Sequence, residues 1–201
     1  MLSSISPLGE RARASRWSVT ATAYVLGSLV GGLALGALSA AAGSLLPAAW
    51  RSSRAAGFVV AALLVTGLLL DLAPGGRALP SWRRQVDELW RSRYRGWVYG
   101  AGFGLQLGFG VVTIVTSATV YAVPLFAALS GHLGVGLALG ACFGLLRAAP
   151  VLALARVHDR RALHALFAVL HRWEHGFDLS AKAALGLAAV AVTAATAFRG
   201  A

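Results

Sequence analysis

Charge is scarce in this sequence, and negative charge scarcer still. The 201 residues include seven Asp and Glu against 18 Lys and Arg, and charged residues make up 12% of the chain. Soluble domains carry about twice that fraction. There is one cysteine, Cys142, and one lysine, Lys182. A lone cysteine excludes an intrachain disulfide, a CxxC redox pair and a cysteine-based zinc site. No Walker loop and no dinucleotide fingerprint is present. The serines lie in turns and apolar runs and the histidines mostly in one segment, so no Ser/His/Asp set can be argued. The sequence reads as non-enzymatic, with no cofactor and no resident metal.

What fills the chain is apolar. Hydrophobic residues make up 58% and the mean hydropathy is +0.71, above the roughly 45–50% of soluble domains. The 51 residues from Gly96 to Leu146 contain no Asp, Glu, Lys or Arg. A membrane crossing needs about 20 apolar residues, so two fit, with Ser130-Gly131-His132 as the hinge. Each arm carries glycines spaced by four: Gly100, Gly104 and Gly108 in the first, Gly136, Gly140 and Gly144 in the second. That spacing puts each ladder on one helix face, where small residues let backbones approach closely in lipid.

The expected fold is all-α: a polytopic helical membrane protein of about five transmembrane helices plus two interfacial amphipathic helices. Residues 1–16 read as a basic cytoplasmic tail. Residues 17–201 read as a single transmembrane domain with spans at about 19–46, 55–73, 97–129, 133–155 and 179–198. The charge-free run from Trp17 to Trp50 is too long for a signal-peptide core. It carries its own small-residue face of Gly27, Gly31, Gly32 and Gly36, and Pro47 ends it. Asp71, close to the end of the second span, reads as interfacial and hydrated. Residues 80–96 place Trp82, Leu89, Trp90 and Tyr94 opposite a set of arginines, and residues 156–178 do the same with Leu163, Leu166, Phe167, Leu170 and Trp173. Both patterns fit helices lying in the membrane interface.

Five crossings divide the basic residues unevenly, 13 on the side of the N-terminus against three on the other. The positive-inside rule then sets the N-terminus in the cytoplasm and the C-terminus outside, in a multi-pass protein of the cell (inner) membrane. Arginines between apolar runs set topology and meet anionic lipid headgroups, so nucleic acid is not an expected partner.

The third span is too long for one straight crossing. Thr113, Thr116, Ser117, Thr119 and Tyr121 cluster in its middle, with Pro124 beyond and Gln106 before. Broken helices commonly build transport sites, because unwound backbone can bind a solute. The competing reading is a proline kink whose hydroxyls bond their own helix. Arg147 lies well inside the fourth span, where an arginine must snorkel or find a partner. Gln106, Thr113, Thr116, Ser117 and Arg147 are therefore the candidate polar pathway. His171-Arg-Trp-Glu-His175 spells the inverted zinc-protease motif, but only 26 residues remain to supply a distal ligand.

The layout resembles the CcdA/DsbD transmembrane family of cytochrome c biogenesis and thiol-disulfide interchange. The resemblance rests on Arg95-Gly-Trp-Val-Tyr-Gly-Ala-Gly-Phe-Gly-Leu-Gln-Leu-Gly-Phe-Gly110, on the glycine-rich run from Gly134 to Pro150, and on the amphipathic stretch that leads into a final span at Leu179. It covers most of residues 20–198 and aligns them with the family's last five helices. It implies broken, glycine-rich helices and a cytoplasmic N-terminus. Where the family carries its second active cysteine this chain reads Gly110-Val-Val-Thr-Ile-Val-Thr116, and the helix bearing the first cysteine is absent. The resemblance therefore implies architecture rather than thiol relay. Three functions follow as expectations: a small-solute or ion transporter; a structural or assembly subunit acting with a membrane partner or a second copy; and a thiol component using Cys142 with a partner's cysteine.

Overall fold

The computed structural model describes residues 7, 16–73, 95–110, 117–157 and 159–198. The protein is an all-α membrane protein, and the described residues contain no strand. Helix α1 spans Trp17–Ser44, the short α2 Ala48–Arg51 and α3 Arg54–Leu72. Then follow α4 (Gly96–Phe109), α5 (Thr119–Ser130), α6 (Leu133–Ala153) and α7 (Arg160–Phe198). A 3-10 turn at Leu154–Arg156 joins the last two.

Four of these helices, α1, α3, α6 and α7, are long and apolar enough to cross a membrane. The expected span 97–129 is not a fifth such helix. It is split into α4 and α5, about 21 and 18 Å long by helix rise, against a hydrocarbon core of about 30 Å. The split is upstream of the proline. α4 stops at Gly110, whose φ of 72° is costly for any side chain, while Pro124 is accommodated inside α5. The hinge falls at Gly131, whose φ of 58° closes α5 before α6 begins.

α1 is the axis of the bundle, and glycine explains how. A Cβ on Gly100 would meet the Thr20 carbonyl at 2.7 Å, and one on Gly104 or Gly108 would strike the carbonyls of Tyr24 and Ser28. The register rises together, so α4 runs parallel to α1. A Cβ on Gly136, Gly140 or Gly144 would strike the carbonyls of Gly36, Gly32 and Ser28. That register falls, so α6 runs antiparallel. Both ladders turn toward α1, which answers with Gly27 and Gly31 toward α4 and Gly32 and Gly36 toward α6. Backbone-to-backbone packing of this kind is open only to residues without a side chain.

The two seams converge at Ser28, which is fully buried and donates a hydrogen bond from Oγ to the Gly144 carbonyl at 2.7 Å. Ser28→Ala should lower stability by about 0.5–1.5 kcal/mol, the net worth of one such bond, read as a small drop in thermal midpoint in detergent.

α7 packs on α3 in antiparallel register. Thr196 lies over Gly57, Leu185 over Gly67 and Leu68 over Gly186. Val60, Leu64, Ala118, Leu185 and Ala189 form the buried cluster there. The expected interfacial segment 156–178 and final span 179–198 are not separate. From Arg160 onward α7 runs through both without a break, because no proline interrupts it and the Lys182 ammonium bonds the Asp178 carboxylate at 2.7 Å across the expected junction. The first expected interfacial helix, residues 80–96, and the basic tail lie largely outside the described residues.

Candidate functional site at the interrupted crossing

The interruption between α4 and α5 brings together groups from four helices. On its α6 side stands Phe143, whose ring would be 3.0 Å from a Cβ on Gly110; Val120, at the start of α5, would be 3.3 Å from the same Cβ. The Arg147 guanidinium lies over that Phe143 ring, 5.3 Å from its centroid, and within electrostatic range of Tyr24. Arg147 is half-buried and reaches back along α6. Its position over an aromatic face one turn away is a cation–π arrangement, favourable where the cation is partly desolvated.

On the α3 side stands Asp71. The Ala118 backbone N–H donates to the Asp71 carboxylate, 2.9 Å from each oxygen. The Ser117 hydroxyl donates to Oδ2 at 2.9 Å. Ser117 Oγ is also 2.8 Å from Thr119 Oγ1. Asp71 is half-buried, and beyond its expected place near the end of a span it joins two helices. The carboxylate is the cap of α5, placed from another helix. A helix start leaves backbone N–H groups without acceptors in their own helix, and apolar surroundings offer few others. A carboxylate there answers both the hydrogen-bond deficit and the positive end of the helix dipole. Asp71 lies about 25 Å from Arg54 by helix rise, within or just at the far edge of a core about 30 Å thick.

The α3–α7 register puts Lys182 level with Asp71, although its ammonium pairs with Asp178. A cavity of about 260 Å³ adjoins the site through Ala118, lined by Leu63, Thr66, Leu70, Tyr121 and Leu185. Its walls are apolar apart from Thr66 and Tyr121, and Thr66 Oγ1 bonds the Ala62 carbonyl of its own helix. The site thus consists of a small apolar recess with one capped carboxylate and two hydroxyls at its rim.

Of the candidate pathway residues, Ser117 is in this site and Arg147 flanks it across the break. Gln106 is half-buried on the side of α4 away from the glycine seam, one turn before Gly110. Thr113 and Thr116 lie outside the described residues. Asp71 is the residue that sequence reasoning passed over. The available signal was the pairing of a near-terminal acid in one apolar span with Ser117-Ala-Thr119 in another, a helix-start pattern in search of a cap.

Other chemistry-bearing residues do not converge. Cys142 is exposed on α6. His171 Nδ1 pairs with Glu174 Oε2 at 2.8 Å, and both side chains are largely exposed. Among the described residues no three His, Cys, Asp or Glu side chains are grouped so as to hold a metal.

No protein-family model matches the chain, and no solved structure does. It is similar to the methylamine utilization protein MauF of Paracoccus versutus, with 36% identity over 158 residues, which is 75% of this chain and 55% of that protein. It is also similar to MauF of Paracoccus denitrificans, with 35% identity over 135 residues, 64% of this chain and 44% of that protein. The chain spans about half the length of the curated relatives it matches.

Proposed function

We propose that this protein is a non-enzymatic membrane component of methylamine utilization that passes a small polar or cationic solute through its interrupted crossing. The observation that carries this reading is the Asp71 carboxylate bonded to the start of α5 at the break. A half-buried carboxylate near the end of an apolar span, engaged by a second helix, is a candidate for a solute or ion path. The helical ladder is interrupted at Gly110 and again at Ser117-Ala118, and broken helices commonly form transport sites. The name of the relatives supports a small primary amine as the solute class, and a methylammonium ion is compact, cationic and complementary to a carboxylate. The glycine-rich, broken-helix plan is the architecture that a CcdA-like scaffold implies. The N-terminus lies in the cytoplasm and the C-terminus outside, in the inner membrane.

The test is uptake of labelled methylammonium by vesicles holding the full chain. Ser117→Trp should abolish uptake while the protein still inserts. Uptake at the wild-type rate in that variant overturns the transport reading. A second reading, an assembly subunit of a membrane complex, is favoured by the exposed apolar side chains of α7, among them Trp173 and Phe177. It predicts a stable partner that survives gentle detergent extraction, with uptake no greater than in empty vesicles.

A further inference from the structure

We infer that the cavity between α2 and the α5–α6 hinge is an anion site in which Arg51 holds a phosphate group. This inference is independent of the transport reading and survives its failure.

The end of α1, the whole of α2 and the α5–α6 hinge meet at one end of the bundle. A Cβ on Gly43 would strike the Ala128 carbonyl, and one on Gly131 would strike the Arg51 guanidinium. Between α2 and the hinge lies a cavity of about 640 Å³. Ala49, Phe126 and Leu129 give it apolar walls, and Arg51, Ser130 and His132 line it with polar groups.

Arg51 is half-buried and fixed in place. Its Nη1 donates to the Ser130 carbonyl at 2.6 Å and its Nε to the Leu46 carbonyl at 3.3 Å. Acceptors on two separate segments set the plane of the guanidinium. Its Nη2 makes no hydrogen bond to a described residue. The Ser130 and Ser52 hydroxyls already donate to carbonyls one turn back, so Arg51 and His132 are the donors left for a ligand.

The charge of Arg51 is also left over. The C-terminal end of α5 offers about half a negative charge, too little to neutralise a guanidinium. No described carboxylate is near. Asp71 is at the far end of α3 from Arg54, and the α3–α7 register carries Asp178, Glu174 and Asp159 beyond it. Arg54, three residues on, adds to the excess. A fixed cation without an acid in its own chain is complementary to an anion from outside it.

The surroundings select phosphate. A guanidinium matches the oxygens of carboxylate and phosphate alike. Arg51 lies in the turn between α1 and α3, both long and apolar enough to cross a membrane. Such a turn lies at the membrane surface, among lipid headgroups. The apolar walls fit the glycerol and chain region of a phospholipid. A headgroup phosphate and inorganic phosphate share the chemistry that Arg51 recognises, and the experiment separates them.

The full chain is released from detergent micelles and weighed by native mass spectrometry after incubation with phosphatidylglycerol or with diacylglycerol of the same chains. The wild type should retain one phosphatidylglycerol and little diacylglycerol. Arg51→Gln should cut retention several-fold, while Arg54→Gln, beside the cavity but not lining it, should not. Equal retention of the two lipids, or equal losses in the two variants, overturns the site. Excess inorganic phosphate should leave the lipid bound; displacement by it upholds the phosphate site and makes soluble phosphate its ligand. Ala49→Trp fills the cavity from an exposed position and removes no hydrogen bond, so it decides the matter if Arg51→Gln does not fold. It should also cut retention several-fold, and undiminished binding in it overturns the inference.

Discussion

Gly140→Leu should leave little folded protein in the membrane, whereas Gly134→Leu, six residues away on the same helix, should be neutral. The contrast follows from what a side chain would meet. A Cβ at Gly140 falls on the Gly32 carbonyl, with the Gly36 Cα at 3.2 Å. One at Gly134 meets nothing within 4 Å. Backbone cannot step aside as a flexible side chain can, so a leucine forces α6 off α1 along the whole seam. Overpacking a well-packed interior costs about 1–3 kcal/mol, and a clash against backbone on both sides belongs at or above the top of that range. Mean helix propensity favours leucine over glycine at both sites by up to about 1 kcal/mol, so propensity alone predicts stabilisation twice. Packing predicts collapse at one site only. The measurement is the thermal midpoint and the yield of monodisperse protein in detergent for the two variants side by side. Equal stability would remove the seam as the source of the fold.

The second large effect is expected at Asp71. In Asp71→Leu the Ala118 N–H and the Ser117 hydroxyl lose their acceptor, each at a cost of about 1–3 kcal/mol where water cannot replace it. α5 then begins with no cap, and the link between α3 and the interruption is gone. Labelled methylammonium uptake should fall to background. Asp71→Asn keeps a carbonyl oxygen for the Ala118 N–H but no negative charge. It should retain most of the stability and lose the uptake. That split separates the roles of the carboxylate. Loss of both in Asp71→Asn makes the residue a structural tie, and retention of uptake in either variant removes it from the path.

Much of the architecture is legible in the sequence because lipid is an undemanding solvent to read. Charge-free runs of sufficient length, bounded by arginine, glycine and proline, can only be helices there, since backbone polar groups must be satisfied within each segment. Glycines at every fourth position state that a face will be approached closely. The ladders at 100–108 and 136–144 therefore identify packing surfaces before any coordinates, and the structure places all six against one helix. Ser130-Gly131-His132 is legible as a hinge for a similar local reason, a residue able to take positive φ between two apolar runs.

The break in the third crossing is harder to place. Pro124 is the conspicuous helix breaker, but α4 ends at Phe109 with Gly110 as its cap, and α5 begins at Thr119. A proline near the start of a helix removes one bond, whereas a glycine at φ 72° reverses the backbone. The junction in the last helix misleads in the opposite way. A change from amphipathic to alanine-rich composition near residue 178 looks like the end of one element, yet helix propensity is unbroken across it and an i,i+4 ion pair spans it.

What the sequence determined by itself is the solvent, the helices and the faces that touch, since each is encoded in residues within one or two turns of each other. Which ladder meets which helix, and that Asp71 rather than any neighbour caps α5 from 47 positions away, belonged to the tertiary structure alone. A buried N–H takes the acceptor that packing brings within 3 Å, and local sequence carries no record of that distance.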